Sequence, residues 1–212
     1  MVKTYSLKKD GNKKLSENFL VKEFRSRDGA DKILIDEKLV SLLQKMRDKF
    51  GAVSISSAYR TAAYNRKVGG VSNSQHLYGL AADVTIKDNS KLSEAARYAE
   101  KIGFNGVGLD DKYQKFLHLD TRTNKSFFRY RANGSTYSVS SFFTTVKLGS
   151  KGEDVKLLQN KLRKLGFKDA SDKELVCDGI FGKNTEYALK NFQKKMSLVT
   201  DGIAGPKTWS KL

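Results

Sequence analysis

The chain has few of the residues that cross-link, kink or anchor a protein. Its 212 residues include one cysteine, one proline and two histidines. A single cysteine forms neither an internal disulfide nor a cysteine-based zinc cluster, so any metal would need histidine and carboxylate ligands. The longest unbroken apolar run is three residues. We therefore expect neither a membrane span nor a secretory signal peptide.

Acidic residues are also few compared with basic ones. Lys and Arg number 40 against 23 Asp and Glu, which leaves a net charge of +17. Such an excess predicts contact with polyanions, namely nucleic acid, an acidic membrane or the anionic polymers of a bacterial wall. No helix-turn-helix, zinc-finger or aromatic RNA-binding signature accompanies the charge, so we expect no specific nucleic-acid partner. The length allows one sizeable core and a small second one.

A short motif occurs twice near the C-terminus, as Asp178-Gly-Ile-Phe-Gly182 and Asp201-Gly-Ile-Ala-Gly205. Apolar residues at helical spacing precede and separate the two copies: Val155, Leu158, Leu162 and Leu165, then Ala188, Leu189, Phe192 and Met196. Pro206 suits the first residue of a third helix. The pattern predicts a three-helix domain over residues 146–212. Its core is small, which favours a binding module over a catalytic domain.

Residues 1–135 alternate between helical and strand patterns. Helical spacing covers residues 36–50, 61–68 and 92–102, and strand patterns cover residues 52–57, 80–86, 104–109, 116–120 and 127–130. Helices interleaved with short, mostly hairpin-linked strands predict an α+β domain. Gly, Ser and Thr are enriched in the following stretch, so we expect residues 136–145 to be a linker.

The two histidines provide the clearest sign of chemistry. Asp83 follows His76 by seven residues, and Asp120 follows His118 by two. Two imidazoles and one carboxylate make up the three-ligand set of a catalytic zinc, which leaves a fourth position for water. Such a zinc activates water and polarises a carbonyl group. The pattern predicts one zinc ion per chain on His76, Asp83 and His118, and hydrolysis of an amide.

Asp120 has two candidate roles. Side chains alternate along a strand, so Asp120 faces the same side as His118. It is therefore either the general base that takes a proton from water or the partner that orients the His118 imidazole. Asp110 and Asp111 remain alternative bases, since both lie in the segment before this strand.

The same residues resemble a known family. Ser56-Ser-Ala-Tyr-Arg60, Ser74-Gln-His76 with Asp83, Gly106-Val-Gly108 and Phe116-Leu-His118-Leu-Asp120 resemble the zinc D-Ala-D-Ala carboxypeptidases. That family includes L-Ala-D-Glu endopeptidases among phage endolysins and shares its fold with the hedgehog signalling domain. The resemblance covers residues 15–130.

The family resemblance implies roles for individual residues. It implies zinc on His76, Asp83 and His118, and it implies that Arg60 holds a substrate carboxylate or the developing oxyanion. We expect Tyr59 and Ser74 to contact substrate as well. Many relatives place the catalytic acid three residues before the last histidine ligand, where this chain has Lys115. This departure makes Asp120 the expected base.

A second resemblance covers the C-terminal third. Leu148-Gly-Ser-Lys-Gly-Glu-Asp-Val155, Phe192-Gln193 and Asp201-Gly-Ile-Ala-Gly-Pro-Lys-Thr-Trp209 are similar to the three-helix peptidoglycan-binding domain of bacterial and phage wall hydrolases. The similarity implies that peptidoglycan is the partner of this domain. Anionic wall polymers are a further candidate partner because of the charge.

The sequence thus predicts an endolysin-type peptidoglycan hydrolase, in which a zinc peptidase cuts the stem peptide and a second domain holds the wall. The bond cut is either D-Ala-D-Ala or L-Ala-D-Glu. The expected lack of a signal suits a phage enzyme that leaves the host cytoplasm through a holin pore to reach the cell wall. The alternative is a non-catalytic, zinc-containing wall-binding protein that keeps the ligands without turnover.

Overall fold

The chain divides into two structural units, Met1–Phe142 and Phe143–Leu212, in a computed structural model that describes residues 1–212. The first unit contains β1 Val2–Ser6, α1 Leu7–Asp10, β2 Lys32–Asp36, α2 Glu37–Phe50, β3 Val53–Ser57, α3 Ala62–Lys67, β4 Ala81–Ile86, α4 Leu92–Ile102, β5 Gly106–Asp110, β6 Phe116–Asp120, β7 Ser126–Tyr130 and β8 Thr136–Val139. The second contains α5 Glu153–Lys164, α6 Lys183–Lys195 and α7 Pro206–Trp209. None of the helices has both the length and the apolar composition needed to cross a membrane.

The first unit is built on a six-stranded sheet with the strand order β3-β4-β6-β5-β7-β8. Every neighbouring pair is antiparallel except β5 and β7, which are parallel. Strands β1 and β2 form a separate antiparallel pair. The predicted α+β domain followed by a small helical domain is therefore confirmed.

The two faces of the six-stranded sheet differ in chemistry because side chains alternate along each strand. One face carries the apolar residues and packs in a single core with α2 and α4: Ala82, Val84, Val107, Leu109, Leu117, Leu119 and Phe127. The opposite face carries the polar and aromatic residues of the same strands: Asp83, His118, Asp120, Phe128 and Tyr130. The alternation thus places the predicted zinc ligands on the face that the helices do not cover.

Helix α2 begins after Asp36 and ends at Gly51, as the sequence predicts. Gly51 has a φ of +77°, which glycine adopts without strain. The Asp36 side chain does not cap the helix. It instead accepts hydrogen bonds from Thr121 Oγ1 at 2.8 Å and from the amino group of Met1 at 3.2 Å. Asp36 therefore ties the start of α2 to the segment after β6.

The predicted linker at residues 136–145 differs from the structure. Thr136–Val139 forms β8, which pairs with β7 along its whole length. Phe142 is only 4% exposed and packs in the core of the first unit. Residues 136–142 therefore belong to the first unit, because the Phe142 ring and the β7 backbone hold a segment whose Ser-rich composition resembles a linker.

The second unit contains the three predicted helices. Its core holds the expected apolar residues: Val155, Leu158, Leu162, Ala188, Leu189, Phe192 and Trp209. Leu165, which the spacing placed on the same face, follows the end of α5 and is 46% exposed. Gly166 comes next with a φ of +79°, so the helix ends there as predicted.

The repeated Asp-Gly-Ile motif forms two equivalent loops, each held by a buried glutamine. Gln159 Nε2 donates to Asp178 Oδ1 at 2.9 Å, and Gln159 Oε1 accepts from the backbone N–H of Gly179 at 2.8 Å. Gln193 makes the same two bonds to the second copy, at 2.9 and 3.0 Å. The repeat in the sequence is therefore a repeat of structure, in which glutamine accepts a hydrogen bond from a buried backbone N–H group of the loop.

Candidate metal centre

Two adjacent strands and the turn before them bring the predicted ligands together. Asp83 on β4 lies directly opposite His118 on β6, and both side chains point to the polar face. His76 lies in the short 3₁₀ turn Gln75–Tyr78, just before β4. Gly79 reverses the chain between them with a φ of +70°. A Cβ atom at Gly79 would overlap the backbone of Leu34, so this turn requires glycine.

Three donor atoms converge at this point. His76 Nε2 lies 3.3 Å from His118 Nδ1 and 3.3 Å from Asp83 Oδ1, and His118 Nδ1 lies 2.9 Å from Asp83 Oδ1. Ligand atoms at about 2.0–2.1 Å from a tetrahedral zinc are separated by about 3.3 Å. The three residues therefore fit a zinc ion, with the ligand number that leaves one position for water or substrate.

A hydrogen bond orients each donor from behind. His76 Nδ1 lies 2.6 Å from the carbonyl oxygen of Ala58. Because a carbonyl only accepts, Nδ1 donates this bond, which leaves the lone pair of Nε2 for a metal. Arg60 Nη2 donates to Asp83 Oδ2 at 2.6 Å, so the other carboxylate oxygen, Oδ1, faces the two imidazoles. This arrangement is typical of metal sites, in which outer partners fix the ligands.

Asp120 holds the third ligand. Its Oδ2 lies 2.9 Å from His118 Nε2, across the ring from the Nδ1 atom that faces Asp83. The Asp120 side chain is 0% exposed, and Arg122 Nε donates to its two oxygens at 2.8 and 2.9 Å. Of the two roles left open for Asp120, this geometry favours orientation of the His118 imidazole.

Two glycines make room for this arrangement. A Cβ atom at Gly106 would overlap the Asp120 carboxylate, and one at Gly108 would overlap the Phe128 ring. Phe128 packs beside His118, with ring centroids 5.6 Å apart. The Gly106-Val-Gly108 motif therefore has a steric explanation, because β5 must leave space for the groups that flank His118.

Burial and hydrogen bonding shift the pKa values of this cluster in opposite directions. Burial alone would lower the pKa of His118, but its hydrogen bonds to Asp120 and Asp83 outweigh burial and raise the pKa to about 9. Burial would raise the pKa of Asp120, yet the hydrogen bonds from His118 and Arg122 lower it to about 2. Burial lowers the pKa of His76. Metal ligands are deprotonated, so metal binding is coupled to loss of the His118 proton.

The three donors open onto a cavity of about 600 Å³. One wall is the loop at residues 68–75, and the other is the hairpin of β7 and β8. Arg60 and Arg122 line it as cations, and Asp83 is the one carboxylate among its lining residues. Two arginines therefore line a cavity that is large enough for a short peptide segment.

The structure brings some of the predicted residues to this cavity and not others. Ser74 and Arg60 line it, although the Arg60 guanidinium is engaged by Asp83 and, through Nε, by Ser57 Oγ at 2.8 Å. Tyr59 packs in the hydrophobic core and does not line the cavity.

The two alternative bases are also held away from the cavity. Asp110 accepts the backbone N–H groups of residues 112–114 and so shapes the loop that follows β5. Asp111 Oδ2 pairs with Arg129 Nη1 at 3.2 Å. Neither residue lines the cavity. Both carboxylates are therefore occupied by the loop and its neighbours.

Sequence reasoning assigned no role to the aromatic residues and the second arginine that line the cavity, namely Phe128, Tyr130 and Arg122. Phe128 and Tyr130 alternate along β7, so a correct pairing of β7 with β5 would have placed them on the His118 face. Arg122 lies two residues after Asp120, close enough to predict an ion pair between them. The alternation along β7 was visible in the sequence, but its meaning depended on knowing that β7 pairs with β5.

Comparison with known protein families gives two matches. The family described as Peptidase M15 matches residues 13–120, and the family described as Putative peptidoglycan binding domain matches residues 151–212. The first match includes all three converging ligands, and the second includes both copies of the Asp-Gly-Ile motif.

Individual relatives match shorter stretches. The chain is 38% identical over 86 residues to a spore cortex-lytic enzyme of Oceanobacillus iheyensis, covering 41% of this chain and 29% of the relative. It is 41% identical over 68 residues to a zinc D-Ala-D-Ala carboxypeptidase of Streptomyces albus G, covering 32% of this chain and 26% of the relative.

A crystal structure of Burkholderia AP3 phage endolysin is 45% identical over 32% of this chain and 24% of that one, with a TM-score of 0.28. The chain spans less than a third of the length of each of these proteins. The Peptidase M15 match, in contrast, extends over about half of the chain and contains the converging His76, Asp83 and His118. The chain belongs to the peptidase M15 family.

Proposed function

We propose that the protein is a peptidoglycan hydrolase whose first unit cleaves an amide bond of the wall stem peptide with the help of zinc. The observation that carries the proposal is the convergence of His76 Nε2, Asp83 Oδ1 and His118 Nδ1 at the cavity. Each ligand is oriented from behind by another group of the chain, which is how proteins prepare a metal site. Membership of the peptidase M15 family supports the same reading.

The arginines of the cavity wall support an anionic peptide as substrate. Arg60 pairs with Asp83 and Arg122 with the buried Asp120, and a bound zinc ion would add positive charge to this balanced set. D-Ala-D-Ala and L-Ala-D-Glu bonds both carry a free carboxylate on the residue after the scissile bond. Either bond therefore suits the cavity, and we propose that the enzyme cuts one of these two.

The chain's own residues would prepare the reaction by fixing geometry. When bound, zinc supplies a Lewis acid that activates water and polarises an amide carbonyl. Arg60 holds Asp83, and Asp120 holds His118, so the ligands need no rearrangement as the reaction proceeds. The loop at residues 68–75 and the β7–β8 hairpin would confine the peptide between them.

The second unit would hold the enzyme on its polymeric substrate. Its match to a putative peptidoglycan-binding domain supports peptidoglycan as the ligand. A bound domain raises the local concentration of stem peptides around the catalytic unit, even without further contacts. The net charge of +17 would add attraction to anionic wall polymers. Action at the cell wall follows, and release from a host cytoplasm in the manner of an endolysin is part of the proposal.

One observation favours a second candidate, a non-catalytic zinc protein that binds the wall. No carboxylate other than Asp83 lines the cavity, and Asp120 is buried behind His118. A hydrolase whose base is a carboxylate would need one within hydrogen-bond reach of the attacking water. This candidate predicts zinc binding and wall binding without turnover.

Mass spectrometry of purified muropeptides after incubation with the zinc-loaded protein separates the candidates. Loss of one D-Ala from pentapeptides would identify a carboxypeptidase, and separation of L-Ala from D-Glu would identify an endopeptidase. Unchanged muropeptides, together with co-sedimentation of the protein with the wall, would contradict hydrolysis and support the binding protein.

A further inference from the structure

Tyr130 lies at the cavity, at the end of β7, and has no role in the arrangement described so far. Strand alternation places it on the same face as Phe128, and both residues line the cavity together with His118 and Asp83. Tyr130 is the one tyrosine among the lining residues. Tyr130 therefore forms part of the wall of the space where a substrate would lie.

The ring of Tyr130 is held firmly. Its centroid lies 5.0 Å from that of Phe116 and 5.6 Å from that of Phe128. Phe128 in turn packs 5.6 Å from His118. Aromatic contacts of this kind restrict a side chain that has only two rotatable bonds. Tyr130 is thus fixed relative to the proposed metal centre by an unbroken row of rings.

The two arginines that line the cavity already bind other groups of the protein. Arg60 binds Asp83 and Ser57, and Arg122 binds Asp120. No group of the protein forms a hydrogen bond with the Tyr130 hydroxyl. Burial raises the pKa of Tyr130, and the nearby negative charge of Asp83 raises it further. The hydroxyl group therefore keeps its proton. The cavity therefore contains a rigid, protonated donor that the fold does not use.

We propose that the Tyr130 hydroxyl donates a hydrogen bond to the oxyanion that develops on the scissile carbonyl, which makes Tyr130 a catalytic residue. This inference rests on the proposed peptidase function. The family resemblance assigned such a role to Arg60, whose Nε and Nη2 atoms already donate to Ser57 and Asp83. Donors aimed at a developing oxyanion act on the transition state more than on the bound substrate.

The test compares Tyr130→Phe with Tyr137→Phe in the full, zinc-loaded protein. Phenylalanine keeps the ring that packs on Phe116 and Phe128 and removes only the hydroxyl. Tyr137 is a matched control on the neighbouring strand β8, where it is 41% exposed and lies under Arg131 outside the cavity. Rates are measured on a soluble stem peptide, with zinc content and melting temperature recorded for each variant.

We expect Tyr130→Phe to lower kcat by on the order of 10²-fold, as for other oxyanion donors, with KM changed by less than about threefold. A phosphinate analogue of the stem peptide, whose tetrahedral centre imitates the transition state, should lose affinity by a similar factor. Tyr137→Phe should match the wild type in every measurement.

Three results would overturn the inference. A kcat for Tyr130→Phe within about twofold of the wild type would show that the hydroxyl gives no transition-state stabilisation. A raised KM at unchanged kcat would make Tyr130 a substrate-binding residue instead. Wild-type protein that binds zinc and hydrolyses no stem peptide would contradict the proposed function itself, and the role of Tyr130 with it.

Discussion

Asp120 lies behind His118, with its Oδ2 2.9 Å from Nε2, while Nδ1 on the other side of the same ring lies 2.9 Å from Asp83. One imidazole thus connects a fully buried carboxylate to the cluster of donor atoms. Arg122 forms an ion pair with the same carboxylate. The pair of His118 and Asp120 shows how a strand that reads His-Leu-Asp can supply both a candidate ligand and the group that would orient it.

The first prediction concerns that orientation. Asp120→Asn should weaken zinc binding by about 10–100-fold, the usual effect of losing an outer partner of a metal ligand. Competition with a chromophoric chelator measures the affinity. Asp111→Asn is the matched control, because Asp111 pairs with Arg129 away from the cavity. Unchanged zinc affinity with a large loss of kcat in Asp120→Asn would contradict the orienting role and indicate that Asp120 is the general base.

Arg60 gives the second prediction. Arg60→Lys should lower zinc affinity or kcat/KM by about 10-fold or more, because lysine cannot donate to Asp83 and Ser57 at once. Arg66→Lys, on the exposed side of α3, is the control and should behave like the wild type. Equal zinc affinity and rates in Arg60→Lys and the wild type would show that the two hydrogen bonds of the guanidinium contribute to neither metal binding nor catalysis.

The third prediction concerns the close approach of Gly106 to the Asp120 carboxylate. Gly106→Ala should reduce the free energy of unfolding by about 1–3 kcal/mol, the usual range for an overpacked site, since the new methyl group would overlap the Asp120 carboxylate. Urea unfolding followed by circular dichroism measures the change. Gly182→Ala is the control, because a Cβ there meets no atom within 4 Å. A Gly106→Ala protein as stable as the wild type would contradict the close approach of β5 to Asp120.

The fourth prediction concerns the repeated loops of the second unit. Gln193→Ala should destabilise this unit by about 1–3 kcal/mol, because the backbone N–H of Gly202 loses its acceptor in a buried site. The single tryptophan, Trp209, is buried in this unit, so its fluorescence reports unfolding there. Asn191→Ala on the exposed side of α6 is the control. An unchanged transition in Gln193→Ala would mean that the glutamine does not hold the loop.

Much of the fold could be predicted because the apolar spacing is regular where the core is deep. Helix α4 and strand β6 have the predicted bounds, since the buried residues of α4 repeat with a helical period and the leucines of β6 alternate with polar residues. Strand β8 could not be predicted in this way. Its residues are polar and largely exposed, and the strand depends on hydrogen bonds to β7, which no local pattern reveals.

The candidate site shows the same division. The convergence of His76, Asp83 and His118 could be predicted, because so few histidines leave little choice and Asp83 follows at a suggestive spacing. The sequence could not predict which side of the His118 ring Asp120 contacts, because that depends on the rotamers of both side chains. Tyr59 and Arg60 are neighbours, yet one packs in the core and the other lines the cavity. The sequence does not reveal which of two adjacent residues turns inward after a strand ends.

A zinc titration of the metal-free protein, with hydrolysis of a soluble stem peptide followed at each addition, shows whether the enzyme depends on one metal ion. We expect no hydrolysis without metal, a linear rise in rate, and saturation at one zinc ion per chain. His76→Ala and His118→Ala should show no such rise. Full activity of the metal-free protein, or one bound zinc with no hydrolysis at any concentration, would contradict zinc-dependent hydrolysis.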